Sequence, residues 1–153
     1  MKTIDQLAAE HGFFEGLPDA VTALVAGCGS NVAVPAGDYV LREGAPADRF
    51  FLIRHGSVAL EFYRPGSGPQ TFMTLGAGDV LGVSWLVEPY VWHHDGRAVE
   101  PLRAVAFDAQ CLRAKCDAEP AIGYALMRRF VPALVDRMHA ARLQALDVYG
   151  APT

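Results

Sequence analysis

The chain has 153 residues, 52% of them hydrophobic and 20% charged, and carries a formal net charge of −4 at pH 7. That length supports one domain with a core of its own, and the composition is that of a compact globular protein rather than a disordered one. The acidic balance excludes the basic footprint of a nucleic-acid binder and a polybasic membrane patch, and the longest apolar runs break at Gly, Asp or Arg well short of a membrane span.

The amino terminus, MKTIDQLAAEHG, has no apolar stretch behind its lysine, so it is not a secretory signal and the expected compartment is the cytoplasm. Residues 3–29 read as a helical lead-in. Phe13, Phe14 and Leu17 cluster before Pro18, Val21, Leu24 and Val25 follow at helical spacing, and Gly27 and Gly29 supply a stop. From 31 to 108 the period changes. NVAVPAGDYVLREG, DRFFLIRHGSVALEFY and PQTFMTLGAGD are short β-rich runs divided by Gly, Pro and Asp, as in a β-sandwich or barrel, and RPGSGPQ reads as a hairpin tip. Phe51, Ile53, Val58 and Leu60 alternate along strands and are expected in the core. Residues 109–149 return to a helical period, with Ile122, Leu126, Phe130, Leu134 and Met138 four residues apart and Val135, Leu143 and Leu146 widening the stripe. Pro132 lies inside this pattern and is expected to start a second helix rather than kink a single one. The three cysteines, Cys28, Cys111 and Cys116, cannot all pair, and their spacing matches no zinc or iron–sulfur pattern. Reduced, partly buried thiols are expected.

VPAGDYVLREGAPADRFFLIRHGSVALEF resembles the front half of the cyclic nucleotide-binding domain of bacterial CRP/FNR-type regulators, with Pro-x-Gly, Glu-Gly, Asp and an apolar strand ending in a glycine turn. The matching residues are Gly37, Glu43, Gly44, Asp48, Phe51, Ile53, Gly56 and Val58. LGAGDVLG is similar to the entry of that family's phosphate-binding cassette, and RAVEP with LRAVAFDAQCL to its last strands and the step into the carboxy-terminal helices. The resemblance spans roughly Phe13 to Leu146. It implies a mainly β fold, a double-stranded β-helix or jelly roll, with an amino-terminal helix and two carboxy-terminal helices in one domain, residues 1–153. Gly37, Gly44, Gly56 and Gly78 read first as turn residues, cheapest as glycine where φ is positive. Asp48 is expected to satisfy backbone amides in its own turn.

The resemblance puts the cassette at residues 78–98. In the family a short helix after a glycine presents free N–H groups to the cyclic phosphate. A Glu just after that glycine takes the ribose hydroxyl, and an Arg about ten residues later neutralises the phosphate. Here Gly82 keeps the glycine place and Val83 takes that of the Glu. Anchored on RAVEP, the Arg place falls at Trp92, or at His93 with one gap. Arg97 lies five residues past that place, on a face that strand parity would decide. Ordinary tight cyclic AMP binding is therefore not expected. The candidate ligand-binding residues are Gly82, Val83, Ser84, Trp85, Leu86, Trp92, His93, His94 and Arg97. The segment holds both tryptophans of the chain and two of its five histidines. Two accounts of the tryptophans stand side by side. They fill the volume a ligand would occupy, or they line a pocket re-tooled for a flatter, less charged ligand.

His93, His94 and Asp95 are not expected to hold a metal, because neighbours on a strand point to opposite faces. Ser84 lacks a matched His–Asp pair and a Gly-x-Ser-x-Gly elbow, so no enzyme is expected. The chain stops at LDVYGAPT, just after the last helix, where the resembled regulators continue into a helix-turn-helix domain, so no direct DNA binding is expected. Arg128, Arg129, Arg137 and Arg142 read as a solvated face. The resembled family pairs its long final helix with a twin, which makes Leu134, Val135, Met138, Ala141 and Leu146 the expected seam of a homodimer. Four functions remain: a stand-alone sensor of a small ligand that signals to a protein partner, an interaction module with a closed pocket, a weak cyclic-nucleotide binder using helix amides and Arg97, and DNA regulation through a partner chain. Beyond a cyclic nucleotide or another small ligand, no cofactor is implied.

Overall fold

The computed structural model describes residues 2–150. Two short helices open the chain: α1 (Ile4–Glu10) and α2 (Asp19–Ala26), with a single 3-10 turn at Gly12–Phe14 between them. The helical lead-in is thus divided, at Gly12 and again before Pro18. A capping box starts α1: Thr3 Oγ1 accepts from the Gln6 amide at 3.2 Å and the Gln6 side chain accepts from the Thr3 amide at 2.9 Å.

Eight strands follow: β1 (Gly29–Val34), β2 (Tyr39–Leu41), β3 (Arg49–His55), β4 (Val58–Arg64), β5 (Gly68–Leu75), β6 (Val80–Leu81), β7 (Asp95–Ala98) and β8 (Leu102–Asp108). They form two four-stranded antiparallel sheets in the orders β1-β8-β3-β6 and β2-β7-β4-β5. This is the expected β-roll. The turn between β3 and β4 shows why one of its glycines is needed. Gly56 has φ +91°, and a Cβ there would sit 2.4 Å from the Pro101 carbonyl oxygen.

The middle strands of the first sheet, β3 and β8, are buried on both faces, which accounts for the unbroken apolar run FFLI in β3. Phe51 and Ile53 of β3 with Leu102, Ala104 and Ala106 of β8 point into the roll, where they meet Leu41, Val58, Leu60, Leu75 and Ala98 of the second sheet. Phe50 and Leu52 with Val105 and Phe107 point the other way, to a second core closed by the helices. There Phe50 stacks on Phe107 at 4.8 Å between centroids and meets Phe130 edge-on at 5.0 Å.

Two helices end the described chain, α3 (Ala109–Ala118) and α4 (Pro120–Gly150). The expectation that Pro132 starts the second helix is not met. Pro120 begins it, at the first-turn position whose missing N–H costs nothing, while Pro132 lies within α4. A proline inside a helix costs about 3 kcal/mol. Ile122, Leu126 and Phe130, all buried against the helix-side core, hold the preceding turns in place. Beyond Pro132 the stripe leaves the core: Leu134, Val135, Met138, Ala141, Leu143 and Leu146 are exposed.

The cysteines differ from expectation as well. Cys28 and Cys111 form a disulfide, with 5.9 Å between their Cα atoms, and Cys116 alone is a free thiol. The fold brings the pair together where β1 begins and α3 begins, and the Asp108 amide donates to the Cys28 carbonyl at 2.9 Å. Lys115 adds a further tie, its Nζ donating to the Leu24 carbonyl at 2.6 Å.

Candidate functional site

The cassette leaves the first sheet at β6 and turns at Gly82, which has φ +91°. Next comes not a regular helix but one 3-10 turn, Ser84–Leu86, closed by the Val87 amide donating to the Ser84 carbonyl at 3.2 Å. Backbone direction then decides which core each side chain enters. Trp85 is fully buried, but in the helix-side core, stacked on Phe50 at 5.2 Å and edge-on to Phe130 at 5.6 Å. Val83 and Leu86 pack against the same core. Among the described residues, the Trp85 indole N–H has no hydrogen-bond partner.

Trp92 goes the other way. It is 5% exposed and belongs to the roll interior. Its ring lies on Gly82: a Cβ at that glycine would be 2.7 Å from Trp92 Cη2 and 3.0 Å from Cζ3. The backbone of Trp92 is clamped by the loop after β2, its amide donating to the Ala45 carbonyl at 3.0 Å and its carbonyl accepting from the Gly44 amide at 2.8 Å. The two tryptophans therefore do not share one pocket. The grouping suggested by their closeness in sequence is corrected by the sheet that runs between the two cores.

Arg97 settles the open question of parity. In β7 it is in register with Ala59 and Tyr39, while its neighbours Gly96 and Ala98 are buried on the inner face. Arg97 thus lies on the outer face of the second sheet. There it forks onto Glu61, Nη2 to Oε2 at 3.0 Å and Nε to Oε1 at 3.3 Å. Glu61 is 2% exposed and also accepts from Thr71 Oγ1 at 3.4 Å. Removing Arg97 to serve the interior would strand a buried carboxylate, so the structure places Arg97 with Glu61 on the outer face and not with the residues of the roll interior.

The histidines separate too. His93 is exposed. His94 is half-buried and packs edge-on against Phe72 at 5.4 Å and Phe62 at 6.4 Å, beside the Phe62–Phe72 stack at 4.7 Å. Burial lowers the His94 pKa below its ordinary value, against a smaller upward pull from the bond to the Asp95 carbonyl at 3.1 Å. The Asp95 carboxylate accepts from the Glu43 amide at 2.8 Å and so fastens the turn after β2. Among the described residues no group of three His, Cys, Asp or Glu side chains could hold a metal.

Two arginines that the sequence reading left on a solvated face, or did not single out, act on this segment. Arg113 of α3 donates to the Trp85 carbonyl and stacks its guanidinium 4.2 Å above the Tyr90 ring. Arg137 of α4, half-buried, donates to the Val80 carbonyl at the entry to the cassette. Neither is marked by local spacing, since each reaches across from a different element.

Comparison with known proteins agrees with this architecture. The profile of the cyclic nucleotide-binding domain matches residues 31–119. A CRP-like cAMP-activated global transcriptional regulator of Mycobacterium tuberculosis is 29% identical over 126 residues, 82% of this chain and 56% of the relative, so the chain spans little more than half of that protein's length. A Geobacter metallireducens GS-15 structure described as a cyclic nucleotide-binding protein superposes with a TM-score of 0.77 at 29% identity, covering 91% of this chain and all of that one. A cyclic nucleotide-binding domain from Methylobacillus flagellatus, at 21% identity, shares the fold with the same TM-score over 94% of this chain and 81% of that one.

Proposed function

Because the chain belongs to the cyclic nucleotide-binding domain family, we propose that it is a regulatory module whose roll interior is closed to ordinary cyclic AMP and cyclic GMP, and that it signals through protein contacts made by α4. The observation that carries this reading is the Trp92 ring seated on Gly82, at the place where the family's cassette meets a phosphate. Val83 supports it, being apolar and turned toward the helix-side core, and so does Arg97, which is committed to Glu61 on the outer face. Each lost charge-assisted contact removes about 1.5–3 kcal/mol. Two together weaken binding by roughly a hundredfold to ten-thousandfold.

The exposed apolar side of α4 supports homodimerisation. Tyr124, Val131 and Met138 recur every seven residues, with Met127, Leu134 and Ala141 three residues after each, the spacing of a coiled-coil seam. Tyr124 at 66% exposed and Met138 at 52% are large apolar groups left in water by a single chain. Val135 and Leu146 lie beside this seam. The proposed role is regulatory, not enzymatic, and among the described residues no helix is long and apolar enough to cross a membrane. Calorimetric titration with cyclic AMP and cyclic GMP tests the reading. No saturable heat is expected at micromolar nucleotide, and Trp92→Arg, which takes the ring off Gly82 and brings a cation to the roll interior, is expected to recover measurable affinity. Sub-micromolar binding by the parent protein overturns it.

A further inference from the structure

A cleft of about 480 Å³ separates α4 from the end of β5 and the turn into β6. It is lined from α4 by Arg128, Arg129, Ala133, Asp136 and Arg137, and opposite them by Phe13, Leu75 and Asp79 among others. Arg129, Ala133 and Arg137 are four residues apart and form one helical row, so the two arginines leave the helix about 12 Å apart along its axis, with only the methyl of Ala133 between them. The small side chain of Ala133 leaves open the space between the two arginines.

The charges in this cleft do not close on themselves. Arg129 donates to the Glu15 carbonyl and Arg137 to the Val80 carbonyl. Each guanidinium has five N–H donors, so both retain several. Among the described residues none of the three arginines has a carboxylate within 4.0 Å. Asp79 is engaged elsewhere, its Oδ2 accepting from the Gly76 amide at 2.8 Å. Three cations and two carboxylates leave one positive charge over. Arg137 bears the consequence most: burial lowers its pKa, and Asp79 offsets this only in part. Holding a cation half out of water with a neutral carbonyl as partner is unfavourable, and an anion in the cleft would relieve it.

We propose that this cleft binds a small organic anion, with a carboxylate or phosphate head held by the arginine row and an apolar body laid over Ala133, Leu75 and Phe13. The site is separate from the roll interior and stands whether or not that interior admits a nucleotide. Its occupant would bridge α4 to the strand entering the cassette, joining the dimer-forming helix to the β-roll.

Octanoate, octyl phosphate, the neutral octanamide and inorganic phosphate serve as probes, titrated by calorimetry at constant ionic strength. Octanoate and octyl phosphate are expected to bind saturably and raise the melting temperature, octanamide and inorganic phosphate to do neither. Two exposed positions permit variants that spare the core, Arg128→Glu at the arginine cluster and Thr74→Trp at the mouth. With unchanged circular dichroism, each is expected to weaken octanoate by about tenfold or more. Equal binding of octanamide and octanoate, undiminished octanoate binding in both variants, or no binding of either anionic probe overturns the proposal.

Discussion

Breaking the Cys28–Cys111 bond, by dithiothreitol or by Cys111→Ser, is expected to cost this domain a large part of its stability. The bond joins residues 83 apart and closes a loop that contains all eight strands of the roll. Constraining a loop of that length in the unfolded chain removes about 15 cal/mol/K of entropy, which is about 4.5 kcal/mol at 25 °C. Little in the folded state offsets the loss. Cys28 stays buried as a thiol, and the amide of Asp108 and the ammonium of Lys115 still hold α3 to the end of α2. For a domain of this size the melting temperature should fall by roughly 10–15 °C. Urea unfolding with and without reductant is the assay. The midpoint should drop by about 2 M, and the m-value should rise because the released chain expands. Cys116→Ser should leave both unchanged. A midpoint shift worth less than about 1 kcal/mol would refute the reasoning, since the loop term could not then be the main effect of the bond.

Acid should also weaken the fold, through two histidines. His11 accepts the Phe13 amide on Nδ1 at 3.1 Å and faces the Ile53 carbonyl through Nε2 at 3.2 Å, and burial lowers its pKa as it does that of His94. The unfolded chain therefore binds protons first, so stability is complete above the ordinary value of 6.5 and falls as pH drops through it. Urea midpoints should decline from pH 7.5 to 5.5, and the double variant His11→Gln, His94→Gln should flatten that slope; a parent midpoint that does not change over this range contradicts the assignment. Met138→Glu should weaken the proposed dimer about a hundredfold, because the two-fold axis brings two charges to an apolar seam. Sedimentation equilibrium measures it, and a parent protein that is monomeric at high micromolar concentration removes the proposal.

The roll was legible because its turns are written locally. A glycine such as Gly56, with φ +91° and a carbonyl at its back, admits almost no substitute, so the motif survives as a readable string. Val83 and Trp92, in the places that the family resemblance gives to a Glu and an Arg, are likewise read from the string alone. Four features were not legible. Which core a tryptophan enters depends on one turn of backbone after Gly82, and Trp85 and Trp92 are on opposite sides of a sheet that spacing does not describe. Arg97 follows strand parity, hidden until β7 has its register with β4. The disulfide and the reach of Arg137 are long-range contacts, and no local pattern announces either. Pro132 misled for a different reason: proline rules describe the isolated helix, while the packing of Ile122, Leu126 and Phe130 outweighs the local penalty.

That the chain has two tryptophans, one in each core, makes it a two-channel optical probe of itself. Trp92→Phe leaves an emission spectrum that reports only the packing between sheet and helices. Trp85→Phe leaves one that reports only the inside of the roll. Titrating octanoate against the first variant and a nucleotide against the second would separate an event at α4 from an event at the cassette without any label. The time course of unfolding in each channel would tell whether the roll opens before its helices leave or both go together.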